Sequence, residues 1–130
     1  MATFWPQPIV VTFEAAADLT GSQFRFVKLD SAGKVVAVAA ITDIPVGVLQ
    51  NNPASGQAAE VVVLGGTKLR AAAAIALPAL IGVDTAGKGK KIAAGTDGTQ
   101  YIVGQADEAA GGADELVSAF VNCINPARAV

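Results

Sequence analysis

The sequence predicts a mainly β protein: a compact β-barrel or sandwich built from two sequence-similar β units, with at most short helices and an extended N-terminal arm. Two observations support this fold class. A turn motif occurs twice, 54 residues apart, as Asp30-Ser31-Ala32-Gly33-Lys34 and Asp84-Thr85-Ala86-Gly87-Lys88. The remaining chain consists of short runs rich in Val, Ile, Thr and Phe, separated by Gly, Asp, Asn and Ser, which is typical of strands and turns.

The repeat continues downstream of the turn motif. Pro45-Val46-Gly47 matches Ile102-Val103-Gly104 at an offset of 57, and each copy then runs through a Gly-containing loop into an apolar stretch beside an acid, at 60–64 and at 115–121. Two copies are too few for a solenoid. We therefore expect one β domain over residues 13–130, with an internal repeat of about 13–66 and 67–122, because 130 residues suit a single core.

Residues 1–12 lie outside the repeat and predict an extended arm. Proline restricts its own φ and favours extended backbone in the residue before it. Aromatic residues flanked by prolines at a chain end favour a segment laid across another surface, with burial in the chain's own core as the alternative. The candidate partner-binding residues of this arm are Phe4, Trp5, Pro6, Pro8, Ile9 and Val11.

Strands are predicted near 9–13, 24–29, 34–39, 45–50, 59–64, 79–84, 90–94, 100–106 and 115–123. The Asp-x-x-Gly motifs and Asp97-Gly98 supply hairpin turns, where Gly adopts the positive φ that a tight loop requires. The best helix candidate is 67–77, which carries four consecutive Ala and ends at Pro78. Its counterpart in the first copy, 14–18, is also capable of a short helix.

One strand is apolar on both faces, so we expect the core to cover one face and either a helix or a neighbouring subunit to cover the other. The predicted subunit-interface residues are Val61, Val62, Val63 and Leu64. Charged residues make up 15% of the chain, against roughly 25% in an average domain. So sparsely charged a surface favours partial coverage by other chains. We expect a closed homo-oligomer, with a trimer favoured over a dimer.

Composition argues against several classes of function. A net charge of −2, spread along the chain, provides no basic patch for nucleic acid. The uncharged, Ala-rich run 71–83 is too short to cross a bilayer, and the N-terminus does not resemble a signal peptide. The chain has no His and a single Cys, Cys123, which removes the commonest general base and the usual zinc ligands. We expect no enzyme, no metal and no cofactor, and we expect the acidic segment 107–115 to be a solvated loop.

Four segments of the second copy together resemble the decoration, or cement, proteins of tailed-phage heads. They are Asp84-Thr85-Ala86-Gly87-Lys88, Ile102-Val103-Gly104, the Ala/Gly/acidic loop 107–112 and the final strand 116–121. The resemblance implies a structural protein of the virion, assembled in the host cytoplasm. It also implies trimers on the outer surface of the head that clamp neighbouring major capsid protein subunits without doing chemistry.

The alternative is a ligand- or carbohydrate-binding β module of a phage tail or adhesin. Sugar sites use exposed aromatic rings beside amides or acids. The chain has seven aromatic residues, five of them Phe, which disfavours this alternative.

Overall fold

The computed structural model describes residues 7–130, which form strands, turns and loops and contain no helix. The predicted mainly β fold class is confirmed. Because these residues form no helix, none of them forms a helical membrane span. The strands are β1 (Ile9–Glu14), β2 (Phe26–Leu29), β3 (Val35–Ala37), β4 (Gly47–Leu49), β5 (Ala58–Arg70), β6 (Ala79–Val83), β7 (Gly89–Ile92), β8 (Tyr101–Ile102), β9 (Gly104–Ala106), β10 (Leu116–Asn122) and β11 (Ala127–Arg128).

A long central strand, β5, joins two halves of one antiparallel sheet. The strand order is β3-β2-β4-β5-β10-β9-β6-β7, with β1 also paired to β5, and β8 pairs with β11 in a separate ribbon. We call 9–64 the first unit and 65–122 the second unit. Each unit contains one parallel bridge, which curls the sheet toward a barrel. In the first unit it joins Ala15, after β1, to Val35 in β3, and in the second unit it joins Ala71, after β5, to Gly89 in β7.

The two units have the same strand registers. In the first unit Val27 lies opposite Ala37 and Gly47. In the second unit Ile81 lies opposite Lys91 and Gly104, so the partners are related by the offsets of 54 and 57 seen in the sequence. β1 of the first unit corresponds to the second half of β5, and the first half of β5 corresponds to β10.

The two Asp turns are held by the same hydrogen bonds. Oδ1 of Asp30 accepts from the amides of Ala32 and Lys34, both at 2.9 Å. Oδ1 of Asp84 accepts from the amides two and four residues downstream, at 2.9 and 2.8 Å. The glycine of each motif has a positive φ, +78° at Gly33 and +79° at Gly87. Each carboxylate therefore closes its turn locally, which explains why the motif recurs.

The repeated Val-Gly pair also has a structural cause. A Cβ on Gly47 would come within 3.0 Å of the Val62 main chain, and a Cβ on Gly104 would lie 2.5 Å from the carbonyl oxygen of Phe120. Val62 and Phe120 are equivalent, because each lies opposite the residue after its glycine. Glycine is therefore required by close strand contact in both units.

The core comprises two clusters. The smaller fills the first unit and includes Leu19, Val27, Leu49 and Val61. The larger fills the second unit and also contains four residues of the first unit, Phe26, Val38, Val48 and Val62, which pack across the boundary between the units.

One detail of the sequence interpretation is wrong. The helix candidates 14–18 and 67–77 contain no helix, because their backbone groups bond to neighbouring segments. The amides of Ala71 and Ala72 donate to the carbonyls of Glu115 and Gly89. The apolar stretches of the two copies are related by a third offset, because the loop before β10 (107–115) is one residue longer than the loop before β5 (50–57). The resulting offset is 58, so Val61 corresponds to Ala119.

Candidate interaction surface

Part of the predicted arm belongs to the sheet. Phe4, Trp5 and Pro6 lie outside the described residues. Pro8 contacts β5 closely, since a Cβ on Gly65 would lie 2.9 Å from the Pro8 Cα. Gly65 has a φ of +121° and directly follows Leu64, the partner of Ile9, and the pairing of β1 with β5 shifts register between Ile9 and Val10. The chain therefore enters the fold beside the centre of β5.

The first residues of β1 form an exposed apolar strip that follows directly after the arm. Ile9 is 50% exposed, Val10 is 46% exposed and Val11 is 37% exposed. The strand is held along β5 by its register and by the Thr12 hydroxyl, which donates to the Glu60 carboxylate at 2.9 Å. Exposed apolar side chains next to one another on an ordered strand are suited to contact with a partner.

The run proposed as a subunit interface is mostly buried within the chain. Val61 and Val63 belong to the first-unit cluster, and Val62 faces the second unit. Leu64 is half-buried and packs at the edge of the first-unit cluster. The two apolar faces of this strand are therefore covered by the two units, which weakens the physical argument for an interface at this run. The interface itself stays a prediction.

A different apolar surface lies on the second unit, where a groove of about 600 Å³ opens. Leu80 and Phe120, each 39% exposed, lie on its walls with Ile102 and Leu64. The amide side chains that line it are Gln105, Asn122 and Asn125. Sequence reasoning missed this groove, because its residues come from five strands, β5, β6, β8, β9 and β10, and from the C-terminal segment.

Several charged side chains form salt bridges within the chain. Lys34 contacts Glu14 at 2.5 Å, and Lys88 contacts Asp114 at 2.6 Å. The hydrogen bond from Lys88, with its positive charge, holds the pKa of Asp114 below its usual value. In the acidic loop, Asp107 accepts a 2.6 Å hydrogen bond from the Ser118 hydroxyl.

Two findings concern the residues that could bind a metal ion or act as a thiol. Residues 7–130 contain no cluster of three His, Cys, Asp or Glu side chains placed to hold a metal ion. Burial raises the pKa of Cys123 to about 12, and the residue is 8% exposed, so it packs as a small buried hydrophobe.

The arrangement of two similar antiparallel β units defines the class of fold, and a structural comparison identifies a known example. The chain is similar to the N base of the head fiber gp8.5 of bacteriophage phi29, with a TM-score of 0.66 and 17% sequence identity. The similarity covers 90% of this chain and 96% of the phi29 chain. No protein-family model and no curated protein matches the sequence.

Proposed function

We propose that this protein is a structural component of a phage head. In this proposal it binds the outer surface of the shell as a decoration or cement protein and contacts the major capsid protein. It acts as a homo-oligomer, with a trimer favoured, and performs no catalytic step. The observation that carries the proposal is the fold it shares with a phage head fiber base over 90% of its length.

Features of the surface support binding to a partner. The arm residues Phe4 and Trp5 precede an ordered, apolar and exposed strand start at 9–11. A partner that accepts the aromatic pair would therefore also cover this strip, and β1 would hold the arm at a defined position. Burial of apolar area across many copies on a symmetric shell gives a large total stabilisation from weak individual contacts.

The test is binding to purified heads that lack the protein, from the phage that encodes it. We expect saturable co-sedimentation with the heads and greater resistance of the bound heads to heat. Absence of co-sedimentation would contradict the proposal.

Trp5→Ala tests the arm separately. Truncation of a tryptophan hot spot costs about 2 kcal/mol or more, which corresponds to roughly 30-fold weaker binding. We expect this loss in head binding with little change in the melting temperature of the free protein. Ile44→Ala is a matched control, because Ile44 is 51% exposed and lies outside the arm and β1. A strong fall in melting temperature with intact head binding would make Trp5 a core residue.

A further inference from the structure

Each unit carries a row of three side chains that lie opposite one another on adjacent strands, and the repeat allows the two rows to be compared. In the first unit Phe26, Val48 and Val62 lie opposite one another across three strands. The equivalent row of the second unit is Leu80, Gln105 and Phe120, in the same register. Because residues that lie opposite one another share a face of the sheet, each row occupies the same position on its unit.

The two rows differ sharply in burial. Phe26 is 1% exposed and Val62 is 2% exposed, because the second unit covers their row. Leu80 and Phe120 are each 39% exposed and line the apolar groove. The second unit therefore retains a substantial exposed apolar surface at the position where the first unit has an interface.

The element that covers the first row is defined by main-chain contacts. The amide of Phe26 donates to the carbonyl of Gly87 at 2.7 Å, and the amide of Arg70 donates to the carbonyl of Phe24 at 2.9 Å. The second unit thus uses its Asp84 turn and the end of β5. A Cβ on Gly87 would lie 2.5 Å from the Phe26 carbonyl oxygen, so only glycine fits this contact.

The first unit carries the equivalent covering element in an exposed position. Its turn at Gly33 has the backbone conformation and the hydrogen bonds of the turn at Gly87. Gly33 is exposed, whereas Gly87 is buried. A Cβ on Gly33 would contact nothing within 4 Å. One chain therefore presents both halves of a contact that it already makes internally, a row on the second unit and a turn on the first.

We propose that the Asp30 turn of a second copy covers the Leu80 row, so that copies associate head to tail through a repetition of the contact between the two units. This inference deepens the self-association in the proposed function and rests on it. Such an interface joins two different surfaces, so it generates a closed ring or an open chain of copies.

The experiment uses variants that each remove one half of the contact. Leu80→Asp places a charge on the row, with Ile44→Asp as its control at another exposed apolar position. Gly33→Asn adds a side chain to the turn, and Asn tolerates positive φ better than most residues. Gly56→Asn is its control, because Gly56 has a φ of +83° and also has nothing within 4 Å of a Cβ.

Sedimentation velocity of the free protein gives the result. We expect the wild type and both controls to associate, and Leu80→Asp and Gly33→Asn to dissociate at least tenfold more readily. A mixture of Leu80→Asp with Gly33→Asn keeps one intact pair of surfaces, so it should form a two-chain species and nothing larger. A monomeric wild type, or two variants that associate normally, would overturn the inference.

The chain's own arm is the competing occupant of the groove. The emission of Trp5, the only tryptophan, tests whether the arm fills it. A red shift in Leu80→Asp with unchanged mass would show this and overturn the inference. Assembly of the free protein without head binding would contradict the proposed function alone, whereas head binding by independent monomers would contradict the inference alone.

Discussion

Single carboxylates define the turns of this protein, and most of that role is readable from sequence. Asp30 and Asp84 each bind two downstream amides, which is the known behaviour of Asp at a turn. Asp43 and Asp97, also 54 residues apart, accept amides at the corresponding loops. The repeated residues are visible in the sequence. The salt bridge between Asp43 and Lys28 is not, because Lys28 lies in β2, 15 residues before Asp43.

The pKa of Asp43 predicts a pH dependence of stability. Burial alone would raise this pKa, but hydrogen bonds from the amides of Ala39 and Ala40 and from Lys28 outweigh it and hold the pKa below 3.8. A carboxyl with a lowered folded-state pKa stabilises the fold above its unfolded value, and the stabilisation is lost as pH falls through the folded pKa.

Asp43→Asn should therefore flatten the fall in the free energy of unfolding below about pH 4. Urea unfolding of the wild type and the variant, from pH 6 to strongly acidic pH, measures this pH dependence of the free energy of unfolding. Lys28→Met, which removes the ammonium and keeps the stem, should reproduce part of the flattening. An unchanged acid dependence in Asp43→Asn would show that other carboxyls control it.

The strands were predictable and the apparent helices were not. Alternation of β-branched runs with Gly and Asp turns placed strands near β1–β4, the first half of β5, β6, β7 and β10, and one strand where β8 and β9 lie. The second half of β5 was missed, because 67–70 belonged to the helix candidate 67–77. The Ala-rich segment after β5 has high helix propensity, but the amides of Ala71 and Ala72 find partners on other strands. Tertiary hydrogen bonds override a weak local preference there, and no local pattern reports them.

At the element scale, the paired glycines provide a matched test of the repeat. Gly47→Ala and Gly104→Ala each force a Cβ against the main chain of the adjacent strand. We expect each to lower the free energy of unfolding by about 3 kcal/mol, at the upper end for overpacking, since main chain adjusts less readily than a side chain.

Gly112→Ala is the control, because a Cβ there meets nothing within 4 Å. Denaturant unfolding of the three variants measures the difference. A large loss at only one of the two glycines would mean that the units are not equivalent in packing, despite their common registers.

At the scale of the whole molecule, the repeat explains why one row of apolar side chains is buried and its counterpart is exposed. The sequence indicated two units but not how they pack. The row of Phe26 is buried and the equivalent row of Leu80 is exposed, and no pattern within either copy reveals this difference. Phe26 and Leu80 are both ordinary apolar strand residues. Their different environments follow from the order of the units in one chain, in which only the first row has a neighbouring unit to cover it.

The shared strand and the shared core also predict that the two units unfold together. β5 runs through both units, and the cluster of the second unit includes four side chains of the first, those of Phe26, Val38, Val48 and Val62. Loss of the second unit would expose these four side chains, at about 1.5–3 kcal/mol for each large apolar group. The first unit alone should therefore not persist as a folded intermediate.

Hydrogen exchange measures this cooperativity at the amides of Val27 in β2 and Ile81 in β6, which occupy equivalent positions in the two units. Both amides should report the same free energy of opening, and Gly104→Ala should lower both by the same amount although it lies in the second unit. The calorimetric and van't Hoff enthalpies should also agree, as for a two-state transition. If Gly104→Ala destabilised Ile81 and left Val27 protected, the first unit would be an independent folding unit, and the buried row would contribute less than its area implies.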